Sequence, residues 1–573
     1  MSPAMQEARS SSAPTGHDGP VLERRERLID FSVTPENYRH WRVEIDGRVA
    51  TVSMCVDPEG GLHPGYVLKL NSYDLGVDIE LYDIVQRLRF EHPEVGAVVL
   101  TGGIDKVFCA GANIQMLAQS SHQLKVNFCK FTNETRNAME QASRESGQTW
   151  ICALNGTASG GGYELALAAE HIILIDDGSS VVSLPEIPLL GVLPGTGGLT
   201  RIVEKRRVRR DLADYFATKA EGIKGEQARR LKLVDEVIPR SQFAEAVRTR
   251  AEEFVSQSSR PGTAPGVELT PLELSADDSG RRYTNVSAEY NRSIRAVNIR
   301  IKGPEGEQPV TAVGAAELGA GYWPLAVCRE LDDLLLHLRL NEPQLGTLVF
   351  ETIGSLEAVQ AIDDFLLANR DDWLVNEVVL FWGRTLKRLD MTSRSIFALV
   401  QPGSCFAGTL LELVLAADRS YMLDDPAAEP AARVMLTEMN FGSLPMGTGQ
   451  TRLDARLLGE PNQVEALNRR VGEPLEPTVA TEVGLVTFAP DDIDWEDEIR
   501  LALEERANLS PDALTGMEAN FRFCGPETTE TKIFGRLTAW QNWIFQRPNA
   551  SGPEGALKSY GTGHRPSFDR GRV

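Results

Sequence analysis

This chain is written almost twice. ELYDIVQRLRFEHPEVGAVVL (Glu80–Leu100) returns as ELDDLLLHLRLNEPQLGTLVF (Glu330–Phe350). ICALNGTASGGGYELALAAEHIILID returns as FALVQPGSCFAGTLLELVLAADRSYMLD, and LPEIPLLGVLPGTGGLTR as LTEMNFGSLPMGTGQTR. Copies about 250 residues apart are too distant for a solenoid and read as duplicated domains. A chain of 573 residues is also too long for one core. The division that follows is a small, polar, disordered tail over 1–24, a first unit over 25–258 and a linker over 259–280. A second unit over 281–490 and a helical C-terminal region over 491–573 complete it. The linker assignment rests on RPGTAPGVELTPLELSADDSG, rich in Pro, Gly and acid.

Inside the first unit the periodicity alternates. WRVEIDGRVATVSMCV reads as two strands around Asp46–Gly47, and VDIELYDIVQRLRFEHPEVG as a helix. GAVVLTGG reads as a buried strand, VNFCKFTNETRNAMEQASRES as a helix and TWICALNG as another buried strand. That rhythm predicts an α/β domain with ligand chemistry at strand ends and helix starts.

The copies differ where chemistry would sit. Only the first carries KVFCAGANIQML, and Gly160-Gly161-Gly162 becomes Gly408-Thr409-Leu410. Glu164 and Glu186 keep counterparts in Glu412 and Glu438. One copy reads as working and one as degenerate, kept for architecture.

Three glycines opening the helix in NGTASGGGYELALAAE need a reason, since each costs about 1 kcal/mol against Ala inside a helix. Unpaired N–H groups at a helix start can hold an oxyanion if glycine lets it approach. FCAGAN supplies a second small-residue loop. Two such donors polarise a carbonyl, each worth about 3 kcal/mol in a transition state. Glu164 in the first turn and Glu186 in a Pro-flanked turn could hold a water between them and shuttle its protons, with burial raising at least one pKa. Singly, Glu164 reads as a helix-dipole partner, Glu186 as a turn residue and Gly-Thr-Gly-Gly as a plain connection. Their joint occurrence is what points to catalysis.

The net charge of -22 excludes wholesale nucleic-acid or anionic-membrane binding. Seven scattered cysteines without CxxC spacing read as reduced thiols in the cytoplasm, and no apolar run reaches membrane-spanning length.

These motifs resemble the crotonase (enoyl-CoA hydratase/isomerase) superfamily over Tyr38–Phe254. KVFCAGANIQM is similar to its first oxyanion loop, NGTASGGGYELALAAE to its second, and LPEIPLLGVLPGTGGLTR to the segment with the second acid. ATKAEGIKGEQARRLKLVDEVIP is similar to its C-terminal helical stretch. The resemblance implies a duplicated ββα spiral, an α/β fold. It implies the N–H groups of Ala112 and Gly161 as oxyanion donors and Glu164 and Glu186 as the acids. Ala110, Gly111, Ala112, Asn113, Ile114 and Gln115 would line a CoA channel.

The shorn second copy and LTAWQNWIFQRPNA extend the resemblance along nearly the whole chain, to a branch of that superfamily that opens an epoxidised aryl-CoA ring. That implies conversion of 2,3-epoxybenzoyl-CoA and two waters to 3,4-didehydroadipyl-CoA semialdehyde and formate. The implied partner is an acyl-CoA, with no metal or redox cofactor and with CoA as part of the substrate. A homodimer is expected because the second copy would fill a neighbour's place.

Cys129 and Asn133 share a helix face that could roof the acyl pocket, though a buried Cys is more often a small hydrophobe. Cys109 reads as packing. Lys69 reads equally as a CoA-phosphate contact or a solvated lysine; the run Glu204–Leu212 could also attract phosphates, though such a run is usually a charged helix face. Trp540, Trp543 and Phe545 read as a core or interface stripe. An ordinary enoyl-CoA hydratase with an extra domain remains open on the motifs alone. So does an acyl-CoA-binding scaffold, which retention of both glutamates disfavours.

Overall fold

The computed structural model describes residues 28–573, so the tail expected over 1–24 lies outside the described residues. In the first unit Val49–Met54 alternates, burying Ala50, Val52 and Met54. It pairs antiparallel with Trp41–Asp46 through the expected turn and parallel with Ala97–Gly102. Thr149–Leu154, His171–Asp176 and Glu236–Pro239 follow in parallel. These strands are apolar on both sides, as a parallel sheet covered on two faces requires. Val98, Leu100, Cys152 and Leu154 face the main core, while Ala97, Val99, Ile151 and Ile173 pack with the helix Arg240–Gln257.

A smaller sheet positions the site. Lys106–Cys109, Gly156–Ser159 and Val181–Ser183 run parallel, with Ile223–Lys224 antiparallel at the edge. Its first two strands run straight into the two glycine loops.

The second unit has a seven-stranded sheet, from Ser275–Asp277 to Arg419–Met422. As in the first, an antiparallel start gives way to a parallel run, here Ala296–Lys302, Thr347–Ile353, Ser395–Val400 and Arg419–Met422. After Ile353 the chain turns at the Ser355 cap directly into the helix Leu356–Ala368, with no strand and loop like Lys106–Asn113.

The Pro/Gly-rich join is a packed seam. Val267 and Leu269 are buried, and their N–H groups donate to Phe90 O and Glu91 Oε1, both at 2.8 Å. The strands at Ser275–Asp277 and Gly280–Arg282 then extend the second sheet.

The helices Leu75–Phe90 and His122–Glu145 pack against Trp323–Asn341 and Trp373–Asp390 of the second unit. Charges are buried where they meet. Glu134 binds Arg339 at 2.6 Å and Arg388 at 2.7 Å. Glu377 binds Arg89 at 2.7 Å and Arg260 at 3.0 Å, so first unit, seam and second unit share one carboxylate. Glu377→Ala would strand two buried guanidinium groups. The expected loss is about 3–5 kcal/mol in urea unfolding.

No helix among the described residues is long and apolar enough to cross a membrane. The C-terminal region is helical and lies on the start of His122–Glu145, where Trp543 stacks on His122 and meets Trp540 edge-on. Phe545 is 56% exposed and does not belong to that packing.

Candidate functional site

The first glycine loop is held by a bridge. Tyr73 donates its N–H to Gly111 O at 3.0 Å and accepts from Asn113 N at 2.8 Å. In a parallel bridge centred on Tyr73, the intervening Ala112 N–H points to the opposite side of its strand. The Asn113 side chain is committed to the fold. Its Oδ1 caps the helix Ile114–Gln119 by accepting from Met116 N, and its Nδ2 donates to Val67 O, both at 2.9 Å. Only the backbone of Asn113 is left to face a ligand. Ala110, Ile114 and Gln115 are exposed, beside exposed Lys69 and Leu70, and Ala110 N donates to Leu70 O.

The second loop gives each glycine its own reason. Gly160 has φ 53 and ψ -128, a region closed to side chains, and a Cβ there would lie 2.6 Å from Glu186 Oε1. A Cβ at Gly161 would run into the Tyr73 hydroxyl, and one at Gly162 would lie 2.6 Å from Cys109 Cβ. The Gly161 N also sits 3.0 Å from where a Gly111 Cβ would stand, so the two loops touch.

The two acids have opposite surroundings. Glu164 is 2% exposed and accepts from Thr196 N at 3.0 Å, Thr196 Oγ1 at 2.5 Å and Gly198 N at 2.7 Å. The Gly-Thr-Gly-Gly loop is therefore its cradle, and Gly198 is small because a Cβ would meet Glu164. Glu186 opens the short helix Glu186–Leu190, and its buried Oε2 has no hydrogen-bond partner in the protein. Burial, then the nearby Glu164 charge, push its pKa up to about 7.

The helix His122–Glu145 covers this loop. A Cβ at Gly195 would be 3.0 Å from Cys129 Sγ, and Asn133 Nδ2 donates to Gly195 O at 3.2 Å. Cys129 is half-buried, and burial raises its thiol to about 11. Cys109 is buried, its thiol is raised by burial to about 12, and it donates to Asn71 O. The basic run spends its charges on the fold: Lys205 pairs with Glu140, Arg206 with Asp235 and Arg209 with Asp211.

The second unit fills its corresponding site with its own side chains. Thr409, which aligns with Gly161, donates its N–H to Asp363 Oδ2 at 2.9 Å, so an internal carboxylate sits on that helix start. Glu412 is claimed by Arg452 at 3.1 Å and by Asn440 at 2.7 Å. Arg201, the equivalent arginine of the first unit, turns to Glu140 at 3.0 Å and leaves Glu164 to the loop. Glu438 is exposed.

A benzoyl-CoA-dihydrodiol lyase from Aromatoleum evansii is 54% identical over 557 residues, spanning 97% of this chain and 99% of its own. The present chain belongs to the benzoyl-CoA-dihydrodiol lyase family. The broader family model Enoyl-CoA hydratase/isomerase matches residues 68–262 of this lyase-family chain, the span that holds both glycine loops and both acids. The fatty acid oxidation complex subunit alpha of Shewanella loihica is 27% identical over 264 residues, 45% of this chain and 33% of that one. A crystal structure of an enoyl-CoA hydratase from Bacillus anthracis is 27% identical, with TM-score 0.33, covering 38% of this chain and 77% of its own. The crotonase-type α/β fold expected from the motifs is the fold of this lyase-family chain.

Motif reading brought together Ala112, Gly161, Glu164 and Glu186, and the structure places them around one spot. It did not reach Thr196 and Gly198 as the Glu164 cradle, nor Tyr73 and Arg136 behind Gly161. The Gly-Thr-Gly-Gly string carried a signal for the first pair. Tyr73 lies about 90 residues before its neighbour, and no local pattern marks it.

Proposed function

We propose that this chain is a CoA-thioester lyase of aerobic benzoate degradation. It would convert 2,3-epoxybenzoyl-CoA and two waters to 3,4-didehydroadipyl-CoA semialdehyde and formate. The 54% identity along the whole chain carries the reaction class. In this reading the Ala112 and Gly161 N–H groups receive the thioester oxygen and draw electrons from the ring. Glu164, cradled by donors, orders a water for attack. Glu186, with one carboxyl oxygen unpaired and a pKa of about 7, delivers the proton to the opening epoxide oxygen and recovers it from water. The CoA moiety would leave along Ala110–Gln115, with Lys69 near its phosphates. Cys129 would border the acyl pocket as a neutral thiol. The balance with two waters is redox-neutral, so the reaction needs no redox cofactor, and in this reading the backbone donors take the polarising role that a metal could otherwise fill.

Seven unpaired cysteines suit a reducing cytoplasm. Exposed Leu189, Val192 and Leu193 beside the Glu186 helix offer a surface for a second copy, and we read the protein as a homodimer. The division into working unit, seam, second unit and C-terminal region stands as part of this proposal. The test is a paired assay of 2,3-epoxybenzoyl-CoA, following formate and semialdehyde, and of crotonyl-CoA, following hydration. Formate in step with epoxide loss is the expected result. Fast hydration without formate would sink the reading and leave a fused hydratase.

A further inference from the structure

One residue touches both glycine loops. The backbone of Tyr73 holds the first through Gly111 O and Asn113 N. Its hydroxyl reaches the second, lying where a Gly161 Cβ would be. Arg136 Nη2 donates to that hydroxyl at 3.1 Å and its guanidinium stands 5.7 Å over the Tyr73 ring. Arg136 is fully buried, and its other bonds go to Thr132 O at 2.8 Å and Asp78 at 3.4 Å. A buried guanidinium is expensive to keep, and one of its two terminal nitrogens is given to this phenol. Phe128 packs on the same ring with centroids 5.8 Å apart.

We propose that Tyr73 is a positioning residue that sets the gap between the Ala112 and Gly161 donors, with Arg136 pinning its hydroxyl beneath Gly161. The proposal rests on the reading that those two N–H groups hold the thioester oxygen. Physically, the phenol is a spacer of fixed length. The bridge anchors one end to the first loop, and the oxygen acts as a stop against the Cα of Gly161. Removing the oxygen leaves the ring, the bridge and the core packing in place. It frees Gly161 to settle toward Tyr73 and leaves Arg136 Nη2 without the hydroxyl it donates to. The second unit carries Trp323 at the aligned position, so no tyrosine hydroxyl comes from that position there.

The test is infrared spectroscopy of benzoyl-CoA labelled with ¹³C at the thioester carbonyl, bound to wild type, Tyr73→Phe, Arg136→Lys and the double variant. In wild type the carbonyl band moves to lower frequency on binding. In Tyr73→Phe that shift shrinks by about half, because hydrogen-bond strength at a carbonyl follows donor geometry steeply. With 2,3-epoxybenzoyl-CoA the same variant loses about tenfold in kcat, while KM stays within about twofold. Arg136→Lys moves the band in the same direction, and the double variant is no worse than Tyr73→Phe, as members of one chain of contacts require. A wild-type band position in Tyr73→Phe overturns the inference, as does a raised KM at unchanged kcat. Absence of any shift in the wild type overturns the oxyanion reading itself, and the inference with it.

Discussion

Glu186→Gln is expected to lose about 100- to 10,000-fold in kcat, the range associated with a positioned proton donor, while the folded protein becomes more stable at neutral pH. The two effects have one cause. In the wild type, burial and the neighbouring Glu164 charge hold the Glu186 pKa at about 7, above its ordinary 4.5. An acid whose folded pKa is raised binds more protons folded than unfolded between those values, so its stability contribution is present below 4.5 and is lost as pH rises through 7. Glutamine does not titrate, so the variant escapes that loss. Thermal or urea unfolding should show it gaining on the order of 1–2 kcal/mol at pH 8 relative to pH 5. In the wild type, kcat/KM should fall above about pH 7, where the donor has lost its proton, and this limb should vanish in the variant. Glu164→Gln is the contrasting case. Its carboxylate accepts three hydrogen bonds, so an amide NH2 would confront a protein donor. That variant should lose activity and also about 1–3 kcal/mol of stability. A Glu186→Gln protein with full turnover would remove Glu186 from the chemistry.

How far the site could be read from sequence follows from how it is built. Strands and long helices announce themselves by period, and the duplication gave a second copy against which to see what was special. The KVFCAGANIQM loop stood out because the second copy lacks it. The triple glycine pointed to bare backbone, and the structure shows a reason of packing at each of the three. Glu186, Tyr73 and Cys109 each press on a different glycine. Such contacts join residues from distant segments and leave only the glycine as a trace. The seam over 259–280 was legible as a break in pattern and opaque as packing, because Val267 and Leu269 are isolated apolar residues in a polar stretch. Aligned glutamates did not reveal that Asp363 and Arg452 fill the second unit: Asp363 comes from a helix outside the motif, and Arg452, though aligned with Arg201, turns to a different carboxylate.

Gly160→Ala should combine backbone strain with a displaced acid, and so lose both stability and turnover. Gly160 sits at φ 53 and ψ -128, which an L side chain adopts only at a cost of about 1–3 kcal/mol. The residue cannot rotate out of that conformation cheaply. Its N–H donates to Ser183 O at 2.9 Å, and its carbonyl accepts from Tyr163 N and Glu164 N, both at 2.9 Å. The added carbon would then lie 2.6 Å from Glu186 Oε1 and force that carboxyl out of place. Displacing a catalytic group by about 1 Å costs about 100-fold, so kcat should fall by at least about that much. Gly178→Ala separates strain from displacement. Gly178 also has positive φ, at 75, but a Cβ there would meet nothing within 4 Å. It should lose about 1 kcal/mol and keep its turnover. If both variants lost activity alike, backbone strain would be the cause. If only Gly160→Ala did, the first of the three glycines is there to let the Glu186 carboxyl stand against the helix start.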